Sequence, residues 1–330
     1  MFLVTIRFLG IEFFLENELD FPLYLTYVNS LPGGIFMGVL WVLLDRLLRK
    51  FFFRKARSFG VVVMVMTISF VLLIGAVIFS ATWIISGSVD YALSYSFGPI
   101  AASNMIFSIS AAFIFVFIQK LDQRMGPGVM LNYLTGKYFQ PREEERIFLF
   151  MDLNSSTTIA EKLGHEQYSR LVQDCYRLLN VPIRDTKAEV YQYVGDEVVI
   201  SWQAKTGISD SDCLKLFFLY SEILKEQEAS FDEKYGVRPT FKAAAHIGKT
   251  MVAEVGQIKS EIAFHGDVLN TTARILGKCH ELSEEFLVSG ELISKWKEEL
   301  LYPNISKGYY KLKGRKEEVE IYGIKNHPDM

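Results

Sequence analysis

Cysteine is scarce: Cys175, Cys213 and Cys279 are the only three in 330 residues, and they form no CxxC pair or zinc spacing. A disulfide framework and a cysteine-built metal site are therefore excluded, and reduced thiols in a cytosolic compartment are expected. A large excess of one charge is also missing. The 35 Lys and Arg against 38 Asp and Glu give a formal net charge of −3, which argues against a nucleic-acid partner held by phosphate neutralisation. The opening Met1-Phe-Leu-Val-Thr-Ile-Arg7 lacks a basic region followed by a small-residue cleavage site, so no cleaved signal peptide is read there.

Apolar residues, by contrast, are plentiful. They make up 50 % of the chain and concentrate before residue 120. Three runs, near 24–44, 60–85 and 99–118, approach the ~20 apolar residues that cross a bilayer as a helix. The first is interrupted by Pro32-Gly33-Gly34. The third carries Ala101, Ala102, Ser103, Ser108, Ser110, Ala111 and Ala112, small residues that allow close helix packing. Residues 1–15 are shorter and contain Arg7 and Glu12, so they read either as a fourth span or as an interfacial helix. The connection from Arg46 to Arg57 is rich in Lys and Arg, whereas Ser86 to Gly98 has none. The positive-inside rule then puts the first connection, and everything after the third run, in the cytoplasm. The expected organisation is a helical transmembrane region over 1–118, embedded in the lipid bilayer of the plasma or inner membrane. A linker over 119–145 and a cytoplasmic domain over 146–325 follow.

The cytoplasmic part mixes periods. Residues 146–152 form an apolar strand ending in a carboxylate, Asp152. Thr158-Ile-Ala-Glu161 has the capping-box pattern, followed by helical spacing to Leu179. Residues 189–194 and 197–202 flank Gly195-Asp196 and read as a hairpin. A helix over 210–229 follows, then strands at 240–246, 250–255 and 261–265. A helix over 268–280 presents Asn270 and Arg274 on one face. Strands close the chain at 286–288, 309–312 and 319–324. This order implies an α+β domain with a mainly antiparallel sheet.

A lone Asp at a strand end is ordinarily a turn residue. Here two such carboxylates and a guanidinium occur in order. Two carboxylates on neighbouring strands suit hard divalent cations that also take phosphate oxygens, and a cation aimed at phosphate stabilises phosphoryl transfer. His246, Trp202, Phe217 and Phe218 are read as core residues. Glu197, next to Asp196, is expected on the opposite strand face.

Three segments, Phe150-Met-Asp-Leu-Asn-Ser-Ser-Thr157, the Gly195-Asp196 hairpin and Gly266-Asp-Val-Leu-Asn-Thr-Thr-Ala-Arg274, together resemble the class III nucleotide cyclase family over about residues 140–325. The resemblance implies a ferredoxin-like catalytic domain. It also implies attack of a nucleotide's ribose 3′-oxygen on its own α-phosphate, with pyrophosphate leaving. It assigns Asp152, Asp196 and the Leu153 carbonyl to two Mg2+ or Mn2+ ions. Asn270 is matched to ribose positioning, Arg274 to transition-state charge, Lys313 to the terminal phosphates and Lys249 to a second basic contact. Family members assemble each site from two subunits, which implies a homodimer with composite sites.

Purine choice falls at Gln192 and Ala263. Adenylate-forming members carry Lys with Asp or Thr there, and guanylate-forming members Glu with Cys, so neither pattern is met. ATP is favoured over GTP because the guanine set is missing. Val194-Gly-Asp-Glu-Val198 is similar to the diguanylate cyclase signature but lacks its second Gly and terminal Phe. A catalytically silent membrane receptor that keeps the fold is the rival from outside enzymes.

Overall fold

The computed structural model describes residues 38–47, 59–96, 99–126, 129–296, 300, 302–315 and 317–326. The chain divides into two compact units, Met1–Met125 and Gly126–Met330.

The first unit is helical. Its described helices are α1 (38–47), α2 (Phe59–Ser86), α3 (Val89–Ser96) and α4 (Pro99–Met125). Among the described residues one helix, α2, is long and apolar enough to cross a membrane. Its window Gly60–Val77 has a mean hydropathy of 2.7. It is apolar on every side, as expected of a helix that does not face water, and Leu72 and Ile84 point outward. Trp41, Val63, Met66 and Val116 form a small core. Of the run near 24–44, residues 38–44 are described and are helical; the earlier part, with residues 1–15, lies outside the described residues. The third run continues past residue 118, because no helix breaker occurs before Gly126, whose φ is +99°.

The second unit contains α5 (Val129–Leu134), β1 (Arg142–Leu153), α6 (Ser156–Leu178), α7 (Asn180–Asp185), β2 (Glu189–Val194), β3 (Glu197–Gln203), α8 (Ala204–Ile208), α9 (Asp212–Glu226) and α10 (Glu228–Tyr235). It continues with β4 (Phe241–Val255), β5 (Glu261–His265), α11 (Asp267–Leu276), β6 (Phe286–Ser289), α12 (Gly290–Ile293), β7 (Asn304–Tyr310) and β8 (Val319–Ile324). The strands form one sheet in the order β2-β3-β1-β4-β6-β8-β7, with β5 paired to β4. Every pairing is antiparallel except β4 with β6.

Strand β1 lies near the middle of this sheet and reads as a continuous apolar run because both faces are covered. Its odd residues Ile147, Leu149, Met151 and Leu153 join a core with Leu171 and Cys175 of α6 and Leu214 and Phe217 of α9. Its even residues Phe148 and Phe150 join a second core with Val268, Ile275 and Leu276 of α11. Asp152 continues the even series, so the period of two carries it onto the α11 face.

Several boundaries differ from the sequence expectation. Strand β1 starts at Arg142, before the expected strand start at 146, because the charged run Glu143-Glu144-Glu145 pairs in register with Met251-Thr250-Lys249. The two strands expected over 240–255 are one, since Gly248 stays extended with Val268 close against it. Helix α6 begins at Ser156, so Thr158 lies inside it and the capping box is not used. Gly164, at φ 72°, kinks that helix. The strand expected at 309–312 ends at Tyr310, leaving Leu312 and Lys313 in the following loop.

Candidate active site

The carboxylates meet at one end of the central strands. Asp152 is the penultimate residue of β1 and lies in register with Glu197 of β3 on one side and Lys242 of β4 on the other. Asp196 occupies the β2–β3 turn, where Gly195 takes the left-handed conformation at φ 63° that a side chain would strain. The turn is held from below. Tyr176 Oη of α6 donates to the Gly195 carbonyl at 3.0 Å, and its ring packs on Tyr193 at 4.6 Å.

The charges of these groups act on one another. Burial, the larger cause, and the nearby Asp196 raise the Asp152 pKa, while Lys242 opposes them. Lys242 Nζ lies 2.9 Å from Asp152 Oδ2. Glu197 is also raised, first by burial and then by Asp152 and Asp196. It was expected on the opposite face. The register corrects this, because residues directly opposed across a ladder share a face. The Tyr168 hydroxyl is raised by burial and then by Asp196, so α6 also borders the acidic end.

These donors suit a hard divalent cation. Both are carboxylates, and their mutual repulsion is what a bound cation would relieve. Among the described residues no group of three or more His, Cys, Asp or Glu is arranged to hold a metal by itself, so remaining ligands would come from phosphate, water or backbone. The Leu153 side chain is buried in the first core, and its residue pairs with Phe241.

The cationic group is carried by α11 and the loop after β7. Asn270 lies exposed on α11, one turn before Arg274. Arg274 Nη1 lies 3.8 Å from Asp267 Oδ1, yet it is buried without a hydrogen-bond partner. The loop after β7 covers the guanidinium. A Cβ on Gly314, whose φ is +82°, would come within 3.2 Å of Arg274 Nη2. Lys313 beside it is exposed. Among the described residues, no hydrogen bond or ion pair joins Asn270, Arg274 or Lys313 to Asp152 or Asp196. Lys249 is not part of this group. It pairs with Glu143 at 2.8 Å, near the other end of β1 from Asp152.

At the purine positions, Gln192 is exposed on β2, just after a bulge, opposite Val199. Ala263 is buried on β5 opposite Ala253. Their neighbours Tyr191 and Phe264 touch edge to face at 4.8 Å, and Phe264 also meets Phe148 at 5.3 Å. Sequence reasoning missed Lys242 and Tyr168. The first could have been found only from the β1–β4 register, and the second from the α6 packing.

No family model matches the chain. Adenylate cyclase 2 of Rhizobium meliloti (strain 1021) is 29% identical over 220 residues, covering 67% of this chain and 61% of that protein. The chain thus spans about three fifths of that relative. The photoactivated adenylate cyclase subunit beta-like protein FB of Euglena gracilis is 30% identical over 81 residues, 24% of this chain and 9% of that protein. Among solved structures, a bacterial light-regulated adenylyl cyclase superposes with a TM-score of 0.57 at 18% identity, covering 67% of this chain and 64% of that one. The α+β unit of this chain therefore has the fold of a class III nucleotide cyclase catalytic domain.

Proposed function

We propose that the chain is a membrane-bound adenylate cyclase that converts ATP to 3′,5′-cyclic AMP and pyrophosphate. The observation that carries this reading is the meeting of Asp152, Asp196 and Lys242 at one end of the central strands, in a unit with the fold of class III cyclase domains. Asn270, Arg274 and Lys313, which make no hydrogen bond or ion pair to those carboxylates among the described residues, are assigned to the other half of a composite site. A second copy of the chain supplies that half, in a homodimer with two equivalent composite sites.

In this mechanism Asp152 and Asp196 would hold Mg2+ or Mn2+, with the Leu153 carbonyl as a further oxygen donor. Two such ions would supply Lewis acidity toward the attacking 3′-oxygen and the phosphate oxygens. Asn270 of one protomer orients the ribose. Arg274 points its unpartnered Nη1 at the charge that builds on the α-phosphate as the 3′-O–P bond forms and the P–O bond to the leaving pyrophosphate breaks. Lys313 and Lys242 neutralise the terminal phosphates, Lys242 on a flexible stem that can leave Asp152. Lys249 is left outside this scheme by its pairing with Glu143. Gln192 presents an amide, both donor and acceptor, to the purine edge, and Ala263 offers only its backbone. The missing guanine set and the adenylate cyclase names of the curated relatives both favour ATP.

The test uses the purified full-length chain with Mg2+ or Mn2+ and each of the four nucleoside triphosphates. Cyclic AMP is the expected product. Cyclic GMP alone would support guanylate cyclase chemistry at the same site, and no product would support a silent receptor. Asp196→Ala and Arg274→Ala homodimers should each be inactive. Mixing the two should restore activity through one intact site per dimer, and failure to do so would refute the composite geometry.

A further inference from the structure

Arg274 shares its counter-ion. Asp267, the first residue of α11, faces two guanidiniums: Arg274 Nη1 at 3.8 Å and Arg315 Nε at 3.4 Å. Arg315 is held from its other side by Glu291, with Nη1 3.3 Å from Oε1. The Thr271 hydroxyl donates to Asp267 Oδ2 at 3.0 Å and fixes the carboxylate on the helix. The charges alternate as Arg274, Asp267, Arg315 and Glu291. Arg315 follows Gly314, whose backbone lies over the Arg274 guanidinium, and Leu312 of the same loop is buried beside Ile275 and Leu276.

This arrangement poses a physical problem. A carboxylate about two helical turns from a phosphate-binding arginine attracts that arginine and competes with substrate for it. In the structure Arg274 stays at the longer of the two separations, and its Nη1 has no hydrogen bond. The closer cation is Arg315. We infer that Arg315 is a positioning residue that occupies Asp267, so that Arg274 stays available to a nucleotide phosphate and the Lys313 loop stays docked on α11. The inference rests on the proposed cyclase reading. Arg315 is not assigned a contact with substrate. It acts through Arg274, and its loss lets Asp267 capture Arg274.

The test uses the full chain with three variants. Arg315→Met keeps the length of the stem and removes the charge. Arg315→Met with Asp267→Asn removes the competing carboxylate but keeps an acceptor for Thr271. Arg315→Lys keeps the charge. In Arg315→Met, kcat should fall at least about tenfold while KM for ATP changes by less than about threefold, the pattern of an interaction lost in the transition state. The double variant should recover most of kcat, and Arg315→Lys part of it. A rise in KM with kcat unchanged would make Arg315 a direct phosphate ligand and overturn the inference. So would a double variant no better than Arg315→Met, or a loss of folding, read by the thermal midpoint, that Asp267→Asn fails to reverse. An active wild type with an unaffected Arg315→Met defeats this inference alone. A wild type that makes no cyclic nucleotide defeats the cyclase reading and the inference with it.

Discussion

His246 offers a perturbation whose size follows from its surroundings. It lies on β4 with 4% of its surface exposed, and its Nδ1 is 2.8 Å from Ser289 Oγ. Burial, the larger cause, depresses its pKa from 6.5 to about 4. Glu291 and Asp267 pull the other way, and Arg315 adds to the depression. The folded protein therefore keeps this imidazole neutral where the unfolded chain would protonate it. A group that binds protons more weakly when folded contributes stability that is fully present above pH 6.5 and lost as pH falls toward 4. At about 1.4 kcal/mol per pH unit the whole contribution is ~3 kcal/mol. Linkage over the range from pH 7.5 to pH 5 gives a loss of ~2 kcal/mol. Urea unfolding of the full chain, followed by the fluorescence of buried Trp202 (1% exposed), would measure it. His246→Asn keeps an amide for Ser289 and removes the titration. Its stability should change ~2 kcal/mol less than wild type over the same range. Parallel pH curves for the two proteins would refute the argument, because the difference between them removes the carboxylates common to both.

Two further outcomes are expected. Gln192→Lys should raise the ratio of kcat/KM for ATP over GTP by on the order of tenfold, the size of one charge-assisted hydrogen bond; an unchanged ratio would mean that the purine does not reach β2. Gly207→Ala should lower the urea stability by about 1–3 kcal/mol through overpacking, since the new Cβ would lie 2.8 Å from Ile147 Cδ1 and 2.9 Å from Trp202 Cβ; a wild-type midpoint would show that α8 moves aside.

Local pattern exposed much of this fold, and its failures are physical. The β2–β3 hairpin was readable because Gly195-Asp196 supplies a turn between apolar runs, and α11 because its apolar residues recur at helical spacing. The sequence places two strands at 240–246 and 250–255, whereas β4 runs unbroken through Gly248, with Val268 packed close against it. That is a tertiary effect invisible in a window of ten residues. The same limit applies to the site. Asp152, Asp196, Asn270 and Arg274 stand in short local signatures. Lys242, Tyr168, Asp267 and Arg315 matter through partners on other elements, and no local spacing announces them. Glu197 was misplaced for a related reason. Alternation was counted from Asp196, but Asp196 is a turn residue, and the count properly starts from the Asp152–Glu197 register.

A lysine bound to a prospective metal carboxylate looks at first like an obstacle. The energetics point the other way. Asp152 is half-buried beside Asp196 and Glu197, and both burial and like charge favour its neutral form. A protonated carboxyl is a poor ligand for a divalent cation. Lys242, at 2.9 Å, supplies a positive charge inside the cluster and opposes that protonation. It thereby limits the cost of folding three acidic groups together before any cation arrives. An arginine at this position would hold Asp152 through a planar, bidentate fork. The single ammonium on a four-carbon stem makes one contact and is released more easily. If Asp152 and Asp196 hold a divalent cation as proposed, that cation would replace Lys242 at Asp152, and the displaced ammonium would be free to meet phosphates bound with it. In that reading the ion pair keeps the two carboxylates ionised until the cation binds.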